Sequence, residues 1–541
     1  MGWETQCECG GVVVDAGRCV GHLKEAELGR YVSRLADGEE LDASGATLGS
    51  GALDRLTKAL DSAGVKQIAA VRFEQAKIEE DALLGAFEIV GPASFRRASF
   101  EGFAAFPGTT FAERADFGSA SFAAGASFDE VTFAGDADFS SARFAEVVRF
   151  DLASFGGRAS FVRTSVDCPV SMFGTRFAGE AMFNYAGFRE GVEIGPLTAN
   201  AVLCFDGAVF ESWLRLVATA KTMTCRATRF KGGAELALNG GDLDLTEAGF
   251  ERQARVSSAT PVADNEGGGN AAIGPYEGPL ARLLSLRRAG VQYLSLSNLD
   301  LRACRFHNAH NLDEIRIEPN CEFAPAPSGA RYTRRITIAE EHQMRSARLA
   351  EGSQSREKDP ADASRAWYPP PCQAPAKTDA GESATLEPTE IVGTYRALRK
   401  ALEDRGDIPG AGDFYYGEME MRRLSSNGDT GAAELDRGLG ERLIVILYWL
   451  TSGYGLRASR SFACLLAIIL IGGIPLYLFG FDGDQPLGRS FLFSLESAIS
   501  LLRPPELDLA PAGEVTQVAL RLLGPVFLGL ALLALRGRVK R

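Results

Sequence analysis

Four residues near the start of the chain carry the ligand chemistry of a metal site. Cys7, Cys9, Cys19 and His22 are spaced C-x-C-x9-C-x2-H, and Gly10, Gly11, Gly17 and Gly21 allow the tight turns of a small knuckle. Three thiolates and one imidazole complete a tetrahedral zinc shell with no open position for a substrate, so the cofactor expected here is a structural zinc. In a segment with little core of its own, the metal would supply folding free energy. C-x-C is less usual than C-x2-C in such sites, and the competing reading is a set of reduced side chains in a loose terminus.

The remaining chemistry-bearing residues point to nothing catalytic. Cys304, His307, His310 and Cys321 form a second thiol-imidazole group, but Cys304 lies two residues before the apolar Phe306 and both histidines fall at corner or outward places, so convergence is not expected. Glu418 and Glu420, beside Arg422 and Arg423, stand two apart on a predicted helix, point to different faces, and are expected on a solvated surface. No nucleophile elbow, phosphate-cradling glycine loop or HExxH sequence occurs. Gly267, Gly268 and Gly269 lie in a polar stretch. The chain is not expected to be an enzyme.

The elements that must position these residues follow from an apolar ladder. Phe73, Ile78, Leu84, Ile89 and Phe95 begin an alternation of five- and six-residue intervals that runs without a miss to Phe161 and more loosely to Leu216. Small residues recur two places before many rungs, as in Ala115-Asp116-Phe117. Neither helix nor flat sheet has this period. Short straight sides separated by corners do, and four sides sum to a coil of 22 residues that would stack Phe73, Phe95, Phe117, Phe139, Phe161, Phe183 and Phe205 in one column. At about 4.8 Å per layer, residues 73–216 would make a rod of roughly six or seven coils. Each rung would contribute on the order of 1.5–3 kcal/mol when buried.

This pattern resembles the pentapeptide-repeat family, with a small residue two before a central Leu or Phe. The resemblance covers about residues 73–250 and returns in SNLDLRACRF around Leu296, Leu301 and Phe306. It implies a mainly β fold, a right-handed quadrilateral parallel β-helix. The alternating extra residue departs from a strict five-residue repeat. Some soluble members of the family imitate duplex DNA towards topoisomerases, which makes a DNA-mimic regulator one alternative function. Here Arg96, Arg97, Arg114, Arg143, Arg149, Arg158 and Arg163 interleave with the acids. That mixture weakens the mimic reading.

Composition bounds the rest. The chain has 541 residues, 46% of them hydrophobic, enough for several domains, and its net charge of −13 argues against nucleic-acid binding. No apolar run follows the start, so no signal peptide is expected and the bulk is placed in the cytosol. The ten cysteines are scattered as small buried hydrophobes would be, as at Cys168 and Cys204.

The expected order is a zinc knuckle over residues 1–30, then a helical cap over 31–72 containing ALDRLTKALDSAGV. The β-helix follows over 73–250, with a loop at 251–279 and further coils at 280–325. A helix and disordered linker at 326–389, rich in Pro, Ser, Ala and charge, precede a helical hairpin at 390–426. A membrane module at 441–541 has spans at about 461–481 and 517–535 and a re-entrant or interfacial helix at about 487–502. Arg457 and Arg460 before the first span, and Arg536, Arg538, Lys540 and Arg541 after the second, place both flanks in the cytoplasm of a multi-pass plasma-membrane protein.

FYYGEMEMRR, LYWLTSGYGLRASR and the two spans resemble the C-terminal module of membrane-bound bacterial, especially actinobacterial-type, pentapeptide-repeat proteins over about residues 390–541. Their layout is also similar to that of two-helix cation channels. The filter is missing: its place is taken by Leu501-Leu502-Arg503-Pro504-Pro505, where arginine would repel cations. TSGYG at 451–455 precedes the first span and reads as a loop after an interfacial helix, ERLIVILYWL. The expected function is a membrane-tethered cytoplasmic scaffold for protein-protein contact, its partners the lipid bilayer and an unidentified protein, with homo-oligomers allowed. An ion-channel-like pore or sensor is the other alternative.

Overall fold

Each short side forms a two-residue strand that pairs in parallel with the strand one coil later. Val71–Arg72 pairs with Ala93–Ser94, Lys77–Ile78 with Ser99–Phe100, Ala82–Leu83 with Ala104–Ala105 and Glu88–Ile89 with Thr110–Phe111, all in a 22-residue register. Four sides therefore close a coil, and about 11 turns stack into a β-solenoid. The structure, a computed structural model, describes residues 6–49, 51–262, 272–274, 278–327, 335–352, 386–425, 439–481, 486–499 and 509–539. The chain divides into two compact units, Met1–Ser383 and Ala384–Arg541.

The alternation of five and six has a backbone cause. In a five-residue side the Ala76 N–H bonds the Phe73 carbonyl at 3.1 Å, with Gln75 at φ 57°, as a type II turn requires. The left-handed position recurs once in each five-and-six pair, at Ala86, Arg97, Gly108, Ser119, Glu130 and Ser141 among others. Each non-glycine residue there costs about 1–2 kcal/mol. Bonds between coils hold the turns in place, as from Gln75 N–H to Arg96 and Arg97 N–H to Gly118, both 2.9 Å.

Inside, the rings stack along columns and meet edge-on between them. Phe95–Phe117, Phe117–Phe139 and Phe139–Phe161 have centroids 4.7, 4.8 and 5.0 Å apart with planes within 3°. Phe106 meets Phe117 at 82°. The strand spacing sets the first geometry and the ring quadrupole favours the second. Ala115, Ala137, Ala159 and Ala181 fill the narrow space beside the rings and are fully buried.

The coil then shortens. Between the long strands Val192–Cys204 and Leu214–Thr224 the pairing runs Val192↔Leu214, Leu197↔Ala218 and Val202↔Thr222, so two bulges each remove one residue and the register falls from 22 to 20. Phe210, Phe230 and Phe250 accordingly stack at the shorter interval, with centroids 5.5 and 4.9 Å apart. Pairing also begins well before Phe73: Leu41 pairs with Val71 and Thr47 with Lys77, the interval lengthened by an inserted helix.

Both ends of the solenoid are covered, which protects unpaired strand edges. At the N-terminal end lie α1 (Glu25–Ala36), burying Leu28, Tyr31, Val32 and Leu35, and the inserted α2 (Ala52–Ser62), burying Leu53, Leu56 and Leu60, each at helical spacing. At the other end α3 (Ala339–Gly352) brings a fully buried Glu340, whose carboxylate accepts the N–H groups of Phe306 and His307. Its neighbour Glu341 is held by Arg335 at 2.6 Å and Arg345 at 2.7 Å. A small antiparallel pair, Thr260–Val262 with Ala272–Gly274, interrupts the coils. The linker expected within 326–389 lies largely outside the described residues.

Burial pushes the Glu340 carboxyl above the usual carboxylate range, more than the backbone N–H groups pull it down. The folded state therefore binds more protons than the unfolded one, and this group's contribution falls as pH rises from the ordinary carboxylate range through the raised folded value. Hydrogen exchange at the Phe306 and His307 amides should thus slow as pH falls through that window, once corrected for intrinsic exchange, and Glu340→Gln should flatten the dependence.

In the second unit α4 (Pro388–Asp404) starts with Pro388 in its first turn and with the Glu390 carboxylate accepting the Glu387 N–H at 2.9 Å. It packs on α5 (Ile408–Ser425) through Ile391, Tyr395, Leu398 and Phe414. A Cβ at Gly417 would lie 2.5 Å from the Tyr395 ring, so only glycine permits this approach. α6 (Leu439–Ser452) is followed by α7 (Ala458–Phe479), α8 (Leu487–Ile499) and α9 (Pro511–Val539). α7, and α9 as far as Leu535, are 22 and 25 residues long and apolar enough to cross a membrane. They pack on each other, with α8 against both. Close contact rests on small residues: a Cβ at Gly472 would sit 2.9 Å from Leu520, and one at Gly524 2.0 Å from the Ala498 carbonyl. Leu466, Leu470, Ile474 and Leu478 of α7 and Val518, Leu522, Val526 and Leu533 of α9 face outwards. The Leu501–Pro505 stretch lies outside the described residues.

Candidate metal centre

Two turns and a short helix gather the four N-terminal ligands. Gly10 N–H bonds the Cys7 carbonyl at 2.8 Å, with Gly10 at φ 87°, closing a knuckle that carries Cys7 and Cys9. A second reversal bridges Asp15 and Arg18 with Ala16 and Gly17 both at positive φ, and returns the chain to Cys19. Cys19 then precedes a single 3-10 turn, Val20–His22, in which the His22 N–H bonds the Cys19 carbonyl at 3.0 Å. The imidazole thereby lies back beside the thiol.

Cys7 Sγ is 3.2 Å and Cys19 Sγ 3.4 Å from His22 Nδ1, and Cys9 Sγ is 3.4 Å from Cys19 Sγ. All four donor atoms fall within 4.8 Å of one another. A tetrahedron with metal-sulfur bonds of about 2.3 Å and a metal-nitrogen bond of about 2.0–2.1 Å has edges of roughly 3.5–3.8 Å. The donor set fits it, and the cluster could bind a metal ion. Cys19 is buried, Cys7 and Cys9 are half-buried, and His22 is exposed.

The thiols differ in their ease of ionisation. Burial pushes Cys7 up, but the backbone N–H groups of Cys19 and Cys9 and the His22 ring outweigh it and hold the thiol down at about 6. Cys19 is pushed up to about 12 by burial and by its bonds with Cys9 and Cys7. The knuckle also lies directly on the first coil. Val12 N–H bonds the Ser44 carbonyl at 2.9 Å, and a Cβ on Gly11 would be 2.7 Å from Ala46.

Cys304, His307, His310 and Cys321 are not brought together: among the described residues only the N-terminal group converges. Cys304 is fully buried. No disulfide joins any two of the nine cysteines among the described residues.

Glu418 and Glu420 overturn the expectation of a solvated face, for both are buried. The two-apart spacing does separate them, but both sides of α5 are covered. Glu418 accepts from Arg399 at 2.9 Å and Arg396 at 3.2 Å and also pairs with Arg422. Glu420 pairs with Arg423 at 2.9 Å and accepts the Tyr454 hydroxyl at 3.2 Å. Tyr454 reaches it because Gly453, Tyr454 and Gly455 all take positive φ, so TSGYG is the last two residues of α6 and the turn that follows them. Arg423 and Arg460 lie over the Trp449 ring at 4.6 and 5.0 Å. Alternating charges and aromatics in GEMEMRR and LYWLTSGYGLR were the available sign of this network.

Of the Glu418 group the carboxylate is the buried member, and the arginines reach solvent. Arg399→Ala with Arg422→Ala should therefore destabilise the second unit by about 3 kcal/mol or more, because it leaves a buried charge poorly compensated. Glu418→Gln should cost less, as the freed guanidinium groups can hydrate. Thermal unfolding of the full chain in detergent orders the two.

Comparisons with known protein families, with curated proteins and with solved structures found no match for this chain.

Proposed function

We propose that the chain is a membrane-bound pentapeptide-repeat protein whose β-helical rod is held at the cytoplasmic face of the plasma membrane as a scaffold for a protein partner. The observation that carries this reading is the pairing of a solenoid with a filled interior and two outward-apolar helices in one chain. The gaps among the rungs, beside Phe144 and Phe161 and beside Phe73 and Phe95, have volumes of only about 10 and 20 Å³. They are too small for a ligand larger than water. Recognition is then left to the long outer faces, which suit macromolecules. Those faces carry paired rather than uniformly acidic charge, as where Arg114 lies 3.4 Å from Asp116 and 3.3 Å from Asp138. α6 adds an interfacial contact. Its 14 residues, about 21 Å long, are too short to span, yet Leu443, Ile444, Leu447 and Leu450 stand exposed.

In this reading Cys7, Cys9, Cys19 and His22 hold a structural zinc that fixes the N-terminal cap. Removal of residues 439–541 should release the chain from membranes with its solenoid intact. A partner recovered from native membranes by the intact chain should be lost with Phe139→Asp, which destroys the rod. Recovery unchanged by that variant would contradict the scaffold role.

A pore is the second reading, favoured by α8. Ser490, Ser494 and Ser497 are fully buried on this helix. Ser494 donates to the Ile469 carbonyl at 2.7 Å, whereas the hydroxyls of Ser490 and Ser497 have no hydrogen-bond partner among the described residues. A polar stripe inside an apolar module is a feature of ion pathways. Ion flux into liposomes containing the purified chain would support this reading over the scaffold.

A further inference from the structure

One corner of the solenoid bears an apolar stripe. The N–H groups of Ala104, Ala126, Val148, Val192, Leu214, Ala234 and Ala254 bond the carbonyls of Gly125, Val147, Pro169, Trp213, Gly233, Gln253 and Tyr293, which sets residues 103, 125, 147, 169, 191, 213, 233, 253 and 293 in one column, apolar from 103 to 233. The described coils from Phe73 onwards expose eight large apolar side chains, and four of them, Phe103, Val147, Trp213 and Tyr293, stand here at 37, 47, 48 and 45% exposure. Gly125, Pro169, Gly191 and Gly233 lie between them, so this corner carries no charged side chain from 103 to 233. A Cβ on Gly125 would lie 3.3 Å from the Phe103 ring and one on Gly233 3.0 Å from the Trp213 ring, so each ring lies over the glycine of the next coil and forms a flat plate.

The column matches itself when reversed. Counted from Pro169, Val147 lies one coil before and Gly191 one coil after; Gly125 two before and Trp213 two after; Phe103 three before and Gly233 three after. We propose that this corner binds a second copy of the chain, with the two rods side by side and antiparallel about a two-fold axis at Pro169. Val147 of one copy then meets Gly191 of the other, and the Phe103–Gly125 plate meets the Trp213–Gly233 plate, each contact made twice. The matched stretch covers six coil steps, about 29 Å.

Charge agrees on one flank. In the adjoining strand column, where Ala105, Ser127, Arg149, Ser171, Glu193, Arg215 and Glu235 follow coil by coil, Arg149 precedes the axis by one coil and Glu193 follows it by one. The two-fold places Arg149 of each copy against Glu193 of the other, Ser127 against Arg215 and Ala105 against Glu235, with no like charges opposed. On the other flank Glu146 meets Glu190, an exposed repulsion that salt would screen.

The test uses the full chain in detergent with copper-phenanthroline as oxidant. Pro169→Cys should give a dimer linked 169 to 169 by mass spectrometry, whereas Tyr185→Cys, on another corner, should not link. Trp213→Asp in the Pro169→Cys chain should reduce that link at least tenfold. A mixture of Val147→Cys and Gly191→Cys chains should link to each other in preference to themselves. Absence of both the 169–169 and 147–191 links, linking at 185 equal to that at 169, or a 169–169 link indifferent to Trp213→Asp would overturn the interface.

Discussion

Phe139→Asp should abolish cooperative melting of the rod at the parent's temperature, while Asp138→Ala should leave it nearly in place. The Phe139 ring is fully buried between Phe117 and Phe161, at 4.8 and 5.0 Å, with Phe128 and Phe150 edge-on at 5.2 and 5.5 Å. Truncating such a ring costs about 3–5 kcal/mol. An unpaired carboxylate in the same place adds several more. Neighbouring coils share the interface, so the loss spreads along the stack. Asp138 points outwards, accepts the Ser140 N–H at 2.9 Å and pairs with the exposed Arg114 at 3.3 Å. Its removal should cost about 1 kcal/mol. Equal melting of the two variants would contradict the register.

Removal of the metal should have the second large effect. The purified chain should carry about one zinc per molecule, because three thiolates and an imidazole fill one tetrahedral shell. Structural zinc contributes about 10–16 kcal/mol of apparent binding free energy in small sites. Chelation should therefore abolish amide protection through residues 6–22 and loosen the coil beneath, to which Val12 is hydrogen-bonded through Ser44. Protection around Phe117 should persist, several coils away. Cys19→Ser should reproduce this pattern. Stoichiometric zinc in that variant, or none in the reduced parent, would return the four residues to a metal-free knuckle.

The solenoid was legible because each side contributes one large inward residue, which gives a period that no other regular structure shares. The length of the coil was less so. Its shortening happens through bulges near Ile194 and Ala199, where the Phe ladder is interrupted and backbone pairing alone sets the register. The coil at Leu41–Leu48 was hidden because α2, inserted within it, breaks the period. Convergence of Cys7, Cys9, Cys19 and His22 could be read from spacing and glycines, whereas the docking of that knuckle on Ala46 is a tertiary contact with no local signature. Glu418 and Glu420 misled because helical spacing reports direction but not what lies there, and arginines from α4 and a tyrosine from the 453–455 turn supply the covering. Glu340 was equally silent: a carboxylate that caps the terminal coil is, in sequence, one more charged residue at a helix start.

Tethering of the solenoid by two spans at the cytoplasmic face is tested most directly by fusing a fluorescent reporter or alkaline phosphatase to each end of the chain and washing the membranes with carbonate. The protein should stay in the membrane pellet, both ends should fluoresce, and neither phosphatase fusion should be active. Release by carbonate, or phosphatase activity at either end, would contradict it.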